Sequence, residues 1–243
     1  MIVDAVRAEW GKTWSLRSTF LCLAGASVVV CVTAWTLAND FVYDLAQGRK
    51  SPGATMAPVE AVAPALQSGL LLIVAFVMLT VTSEYASGSI RSTLQGEPRR
   101  WLVLLAKTLV SAPGAALVAL AVVAAAGQVA RLTLGEHAAA GAASGASTAT
   151  RAALLVLVDA VLVMGLAAMI RHSVGTLACS FLLLVLTLAL PSGVAAWAPA
   201  DASAAYLTDD ATSYPAVVGL LVTAGWATVS WVAGLLVLQR RDA

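Results

Sequence analysis

Six apolar runs, almost free of charge, divide this chain: Thr19–Ala38, Pro64–Thr82, Trp101–Ala130, Ala152–Ile170, Val174–Leu190 and Tyr214–Leu238. A bilayer core of about 30 Å needs about 20 apolar residues per helix, so each run predicts a membrane span. The third is over-long and the fifth is short. Lipid offers the backbone no hydrogen-bond partners, and the alternation of a barrel strand is absent, so helices are the structure these runs can adopt. Composition agrees. Hydrophobic residues make up 60% of the chain and charged residues 11%, against about 25% charged in soluble domains. The fold class expected is an all-α integral membrane protein of six transmembrane helices in one domain.

The first run exceeds the apolar core of a signal peptide, and no A-x-A cleavage site follows it, so it reads as a retained span. Charge then orients the chain. With the N-terminus inside, the inner segments carry ten basic residues: Arg7, Lys12, Arg17, Arg91, Arg99, Arg100, Lys107, Arg171, Arg240 and Arg241. The outer segments carry four, Arg49, Lys50, Arg131 and Arg151. This is the positive-inside pattern, with both termini cytoplasmic. Cys22, Cys31 and Cys179 all fall within spans and lack ligand spacing, so they read as small buried hydrophobes.

Between the runs, residues 2–17 predict a helix before the first span. Val3, Val6, Trp10 and Trp14 share one face, while Asp4, Arg7 and Lys12 lie elsewhere, the pattern of a helix lying in the membrane interface. Residues 39–63 and 131–151 read as outer loops. Within the second, the low-complexity stretch Ala138–Thr150 reads as a flexible connector. Arg171-His172-Ser173 forms a tight inner turn between the fourth and fifth runs. Pro191 ends the fifth run early, and proline-broken apolar pieces continue through Trp197 and Pro199 to Leu207. Both a re-entrant outer hairpin and an interfacial loop helix fit that pattern.

Few residues could carry chemistry. Asp159 is the one acid inside a run and needs a polar surrounding. It reads either as lining for a transport path or as a structural hydrogen bond, with Gln128 as a candidate partner. His137 and His172 are separated by a whole span and cannot share a metal. No acid, base and nucleophile converge at one depth, so catalysis is not expected. Gly11-Lys12-Thr13 resembles the end of a Walker A loop, but Val6 stands where its first glycine belongs and no strand precedes it. Lys107, six residues into the third run, is expected to snorkel to the inner surface. Arg99, Arg100 and Trp101 should anchor that helix at the headgroups. Pro113-Gly114 is a kink site, and Ala112 and Ala116 form a small-xxx-small packing face.

The charged island between the second and third runs reads Glu84-Tyr85-Ala86-Ser87-Gly88-Ser89-Ile90-Arg91-Ser92-Thr93-Leu94, followed by Pro98-Arg99-Arg100. Tyr85–Leu94 predicts a short helix with Tyr85, Ile90 and Leu94 on its apolar side. Such a helix could dock in a groove of a soluble partner, or the island could be a basic turn held by lipid headgroups.

The island resembles the signature of permease subunits of type-2 ABC transporters, E-Y-x-x-G-[ST]-I-R-x-T-L followed by Pro, Arg and Ala-Lys. Here those positions are Glu84, Tyr85, Gly88, Ser89, Ile90, Arg91, Thr93, Leu94, Pro98, Arg100, Ala106 and Lys107. Glu9, Lys12, Leu16, Arg17, Ser18 and Thr19 are similar to an E-x-x-K-x-x-x-L-R-S-T entry common in actinobacterial members. Leu190-Pro191 and Pro199-Ala200-Asp201-Ala202 look like the family's L-P…P-x-x-A outer segment.

The resemblance implies a permease half in the plasma membrane that pairs with a second copy or a sister permease. Each half would contact one subunit of a separate ABC ATPase dimer. It implies a connecting helix at 2–17, with Val6, Trp10 and Trp14 at the interface, and a coupling helix at Tyr85–Leu94. Glu84 and Arg91 are then the foremost coupling residues. The outer gate would span 191–207, with Pro191, Trp197 and Pro199, and Asp159 would lie near the path. ATP hydrolysis would belong to the partner chain, so this chain would need no cofactor, and nothing in it asks for nucleic acid. The expected activity is ATP-driven export of a hydrophobic or amphipathic compound. The competing expectation is a non-transporting six-span scaffold or sensor whose basic loop binds a partner or lipid.

Overall fold

The computed structural model describes residues 2–139, 145–208 and 214–240. Ten α-helices follow one another among these residues: α1 (Ile2–Ser15), α2 (Arg17–Ala46), α3 (Pro58–Ser87), α4 (Ile90–Gly96), α5 (Arg100–Leu134), α6 (Gly145–Ile170), α7 (Ser173–Val185), α8 (Ser192–Ala195), α9 (Pro199–Thr208) and α10 (Ala216–Arg240). No strand occurs among the described residues, only an isolated bridge of Met56 with Ala138. Five helices, α2, α3, α5, α6 and α10, are long and apolar enough to cross a bilayer, the build of a multi-pass membrane protein. α7 is equally apolar, but its 13 residues extend only about 20 Å. A short 3₁₀ turn, Leu186–Ala189, continues it toward Pro191.

The bundle inverts the pattern of a soluble protein. α2 buries a narrow stripe of Thr19, Leu23, Ala26, Val30, Ala34, Ala38 and Phe41. α10 buries mostly small residues, among them Gly219, Thr223, Ala227, Ser230 and Gly234. Large side chains point outward instead: Phe20, Leu21 and Val28 on α2, Leu117 on α5, Val217, Leu221 and Val229 on α10. In lipid the outward face gains nothing from being polar, and small residues inside let backbones approach. α6 packs extensively against both α10 and α5, and α2 packs against α3 and α5. α6 and α10 meet where Gly165 faces Ser230 and Gly234, and the Ser230 hydroxyl donates to the Leu162 carbonyl at 2.8 Å.

Several sequence boundaries move. α2 continues to Ala46, so the first connector shortens to residues 47–57. Gly145–Thr150, expected as flexible connector, forms the first turns of α6, with Thr148 and Ala149 buried. Alanine and threonine there bury a face, which low complexity does not reveal. Residues 140–144 of that stretch lie outside the described residues. The expected helix Tyr85–Leu94 divides at Gly88, whose φ of +72° ends α3 in the left-handed conformation open to glycine. Tyr85 therefore belongs to α3, and the short helix is Ile90–Gly96.

A Cβ at Gly165 would collide with the Ser230 backbone, whereas one at Gly127 would meet nothing within 4 Å. Gly165→Val is expected to lower stability by about 1–3 kcal/mol through overpacking. Gly127→Ala should leave stability unchanged or raise it by up to about 1 kcal/mol. Unfolding titration of both variants in detergent measures the contrast.

Candidate functional site: a buried ion cluster at the island

One end of the bundle gathers α1, α4, the C-termini of α3 and α10, the N-terminus of α5 and the α6–α7 turn. Arg7, Lys12, Arg17, Arg91, Arg99, Arg100, Arg171 and Arg240 lie there, and Arg49, Lys50, Arg131 and Arg151 lie toward the other end.

Four charges converge at the island end. Lys107 of α5 places its ammonium 2.6 Å from a Glu9 carboxylate oxygen and 2.9 Å from one of Glu84. Lys12 reaches the same two carboxylates at 2.8 Å and 3.0 Å. Lys107 also donates to the Thr80 carbonyl at 3.0 Å, and Lys12 donates to the Thr93 hydroxyl at 3.1 Å. The Thr93 hydroxyl donates to the second Glu84 oxygen at 3.4 Å. Two ammonium groups and two carboxylates thus balance, each ion with at least two partners, the condition under which buried charge is tolerated.

Local helix geometry delivers these groups. Glu9 and Lys12 are three apart on α1 and share a face. The inward side of α1 is polar, burying Glu9 and Thr13, while Val3 and Trp10 face outward. Val6 and Trp14 are half-buried. The Trp14 ring packs against those of Trp10, Phe20 and Phe76, with centroids 5.5, 6.0 and 6.4 Å away. Gly114 leaves room for its edge, since a Cβ there would lie 3.3 Å from the indole. The exposed side of α1 thus mixes Val3 and Trp10 with Asp4 and Arg7, while its inward side is polar.

Snorkelling is not what Lys107 does: its side chain is 3% exposed and points to Glu9 and Glu84. Pairing within the protein removes the need to reach water. Lys12 is 42% exposed and forms the watered side of the cluster. Burial alone would lower its pKa, but the Glu9 and Glu84 carboxylates outweigh that and raise it, so Lys12 stays cationic at neutral pH. The Walker-like Gly11-Lys12-Thr13 is part of this helix, and its lysine is committed to carboxylates.

α4 is held by Ile90, 5% exposed, and by Thr93 through Lys12 and Glu84. Leu94 is half-buried. Arg91, Ser92 and Gln95 are exposed, and Arg91 forms no ion pair among the described residues. Glu84 and Arg91, named together from sequence, are therefore separate parts: Glu84 is the anchor and Arg91 belongs to the open face. Tyr85 packs under Arg171, whose guanidinium lies 5.0 Å from the ring centroid. Arg171, with φ +58°, makes the tight turn and donates to the Val237 carbonyl at 3.4 Å. Arg100 donates to the Leu238 carbonyl at 2.8 Å. Two cations thereby cap the C-terminus of α10, complementing its dipole.

The remaining sequence candidates lie elsewhere. Asp159, on α6, opens into a cleft with Pro199 of α9. Gln128 is exposed on α5 and is not its partner. Pro191 and Trp197 do not line this cleft. The Pro191 carbonyl accepts the Val194 and Ala195 amides, and the exposed Trp197 accepts the Trp226 indole N–H at its carbonyl, 3.0 Å away. Sequence reasoning named Lys107 and Glu84 but missed Glu9 and Lys12 as their partners. The signal was the opposite-charge pair Glu9/Lys12, three residues apart on one face of a helix preceding a span.

No protein-family model matches this chain, and no curated protein matches it significantly.

Lys107→Met would leave two carboxylates to share Lys12, and removing one partner of a buried pair costs about 3–5 kcal/mol. Glu9→Gln in the same background should recover part of that loss. Exposed Arg91→Ala should change stability by less than about 0.5 kcal/mol. Denaturant titration in micelles measures all three.

Proposed function

We propose that this chain is the membrane-spanning subunit of an ATP-driven transporter of the type-2 ABC class, exporting a hydrophobic or amphipathic compound. The observation that carries the reading is the ion cluster. Polar side chains from the three inner segments that resemble the family signature, Glu9 and Lys12, Glu84 and Thr93, and Lys107, meet at one point. A short helix pinned there, with Arg91, Ser92 and Gln95 turned outward, suits a surface that receives force from a soluble partner. The pinning passes motion of α4 to α1, α3 and α5 together.

In this reading α4 and the end of α3 dock on a separate ABC ATPase, two of which serve a pair of permease chains, the second being another copy or a sister permease. The membrane is the plasma membrane, with the island end and both termini cytoplasmic, supported by the basic residues gathered there. α7 with its 3₁₀ extension spans about 28 Å, near a hydrocarbon thickness, which supports a sixth crossing. The α8–α9 segment would then form the re-entrant outer gate with Pro191, Trp197 and Pro199. ATP binding drives the spans only by favouring one arrangement of the pair over the other.

Gentle solubilisation of the tagged chain is expected to bring down a stoichiometric ATPase. Arg91→Ala should break the link between hydrolysis and transport while membrane insertion stays normal. A chain that purifies alone, or an Arg91→Ala complex that transports at the wild-type rate, would overturn the coupling assignment.

A further inference from the structure

A cleft of about 80 Å³ opens between α3, α6, α7 and α9, walled by Leu66, Leu70, Val74, Leu155, Leu162 and Leu207. That is several times the space one water molecule needs. Three polar side chains in it, Asp159, Gln67 and Ser180, are left without partners among the described residues. Asp159 makes no ion pair or hydrogen bond among the described residues, and the Ser180 hydroxyl is buried with none. Ser203, also on the lining, is engaged with the Thr223 hydroxyl at 3.3 Å. No lysine, arginine or histidine lines the cleft. Arg151, the basic residue two turns along α6, donates to the Tyr206 carbonyl and lies beside the Tyr206 ring.

An acid in hydrocarbon with no cation beside it is costly, and such residues in membrane spans mark sites for ligands or ions. The geometry points to a binding site for a lipophilic protonated amine, its ammonium held by Asp159 and Ser180 and its hydrocarbon body by the leucine wall. The ammonium supplies the positive charge that Asp159 lacks and an N–H for the Ser180 oxygen. An inorganic cation would instead keep its water and find one carboxylate where a cage of oxygens is needed. The binding site stands on the cleft alone; its role in selecting the exported compound rests on the transporter reading above.

The test uses two probes of matched shape, 2-phenylethylammonium and propylbenzene, on the purified full chain in lipid nanodiscs, with binding followed by ligand-observed NMR. The expected result is at least tenfold tighter binding of the ammonium to wild type. Asp159→Asn should lose that preference while still binding propylbenzene, and Ser180→Ala should weaken the ammonium by about threefold or more. Retained propylbenzene binding also shows that the variant is folded. Equal affinity for the two probes, an ammonium preference that survives Asp159→Asn, or no binding of either would overturn the site. Amine binding by a chain that recruits no ATPase would uphold the site and remove only its transport role.

Discussion

The island end is held by two ammonium groups and two carboxylates that meet at one point, three of the four buried and Lys12 at the watered edge. Lys107 and Glu9 are nearly inaccessible, at 3% and 6%, so neither can fall back on water if its partner leaves. Because the four side chains come from α1, α3 and α5, the cluster fixes three helix ends at once. Thr93 extends the same network to α4. A surface ion pair would be worth little; this one is costly to break because Lys107, Glu9 and Glu84 are desolvated.

The cluster also explains the odd shape of α1. The side of α1 toward the protein is polar, so it must be satisfied by polar contacts. Glu9 and Thr13 supply them, with the Thr13 carbonyl accepting the Thr19 hydroxyl at 2.7 Å. Trp14 fills the seam beside Gly114 and Phe76. The rest of the bundle uses a different device. Gly165, Ser230 and Gly234 bring α6 and α10 into backbone contact, and Arg100 and Arg171 close the C-terminus of α10. The cleft at Asp159 lies deeper, about 16 Å along α6 from Ile170, among the same spans.

How much the sequence disclosed follows from the range of each interaction. Apolar runs are local, so α2, α3, α5, α6 and α10 were legible from residue composition, as was a helix at α1 from Val3, Val6, Trp10 and Trp14. The turn at Arg171 was legible from three polar residues between apolar ones. Gly88 as a helix stop was readable in principle, yet the flanking residues suit helix on both sides and conceal it. Tertiary approach, by contrast, decides ionic partners. Lys107 alone looked like a residue seeking water, because nothing within a turn of it announces Glu9, 98 residues away in sequence. Glu84 and Arg91 were named together for coupling, yet Glu84 pairs with two lysines from other helices while Arg91 stays on the open face. Gln128 failed as the partner of Asp159 because it faces outward from α5.

The most direct measurement is amide hydrogen exchange across Ile90–Gly96 in nanodiscs, comparing wild type with Glu84→Gln. Loss of the Glu84 charge should loosen Thr93 and Lys12 together, speeding exchange in α4 and the end of α1. The amides around Gly165 and Ser230 should stay protected. Unchanged exchange in α4 would contradict the claim that the ion cluster holds that helix to the spans.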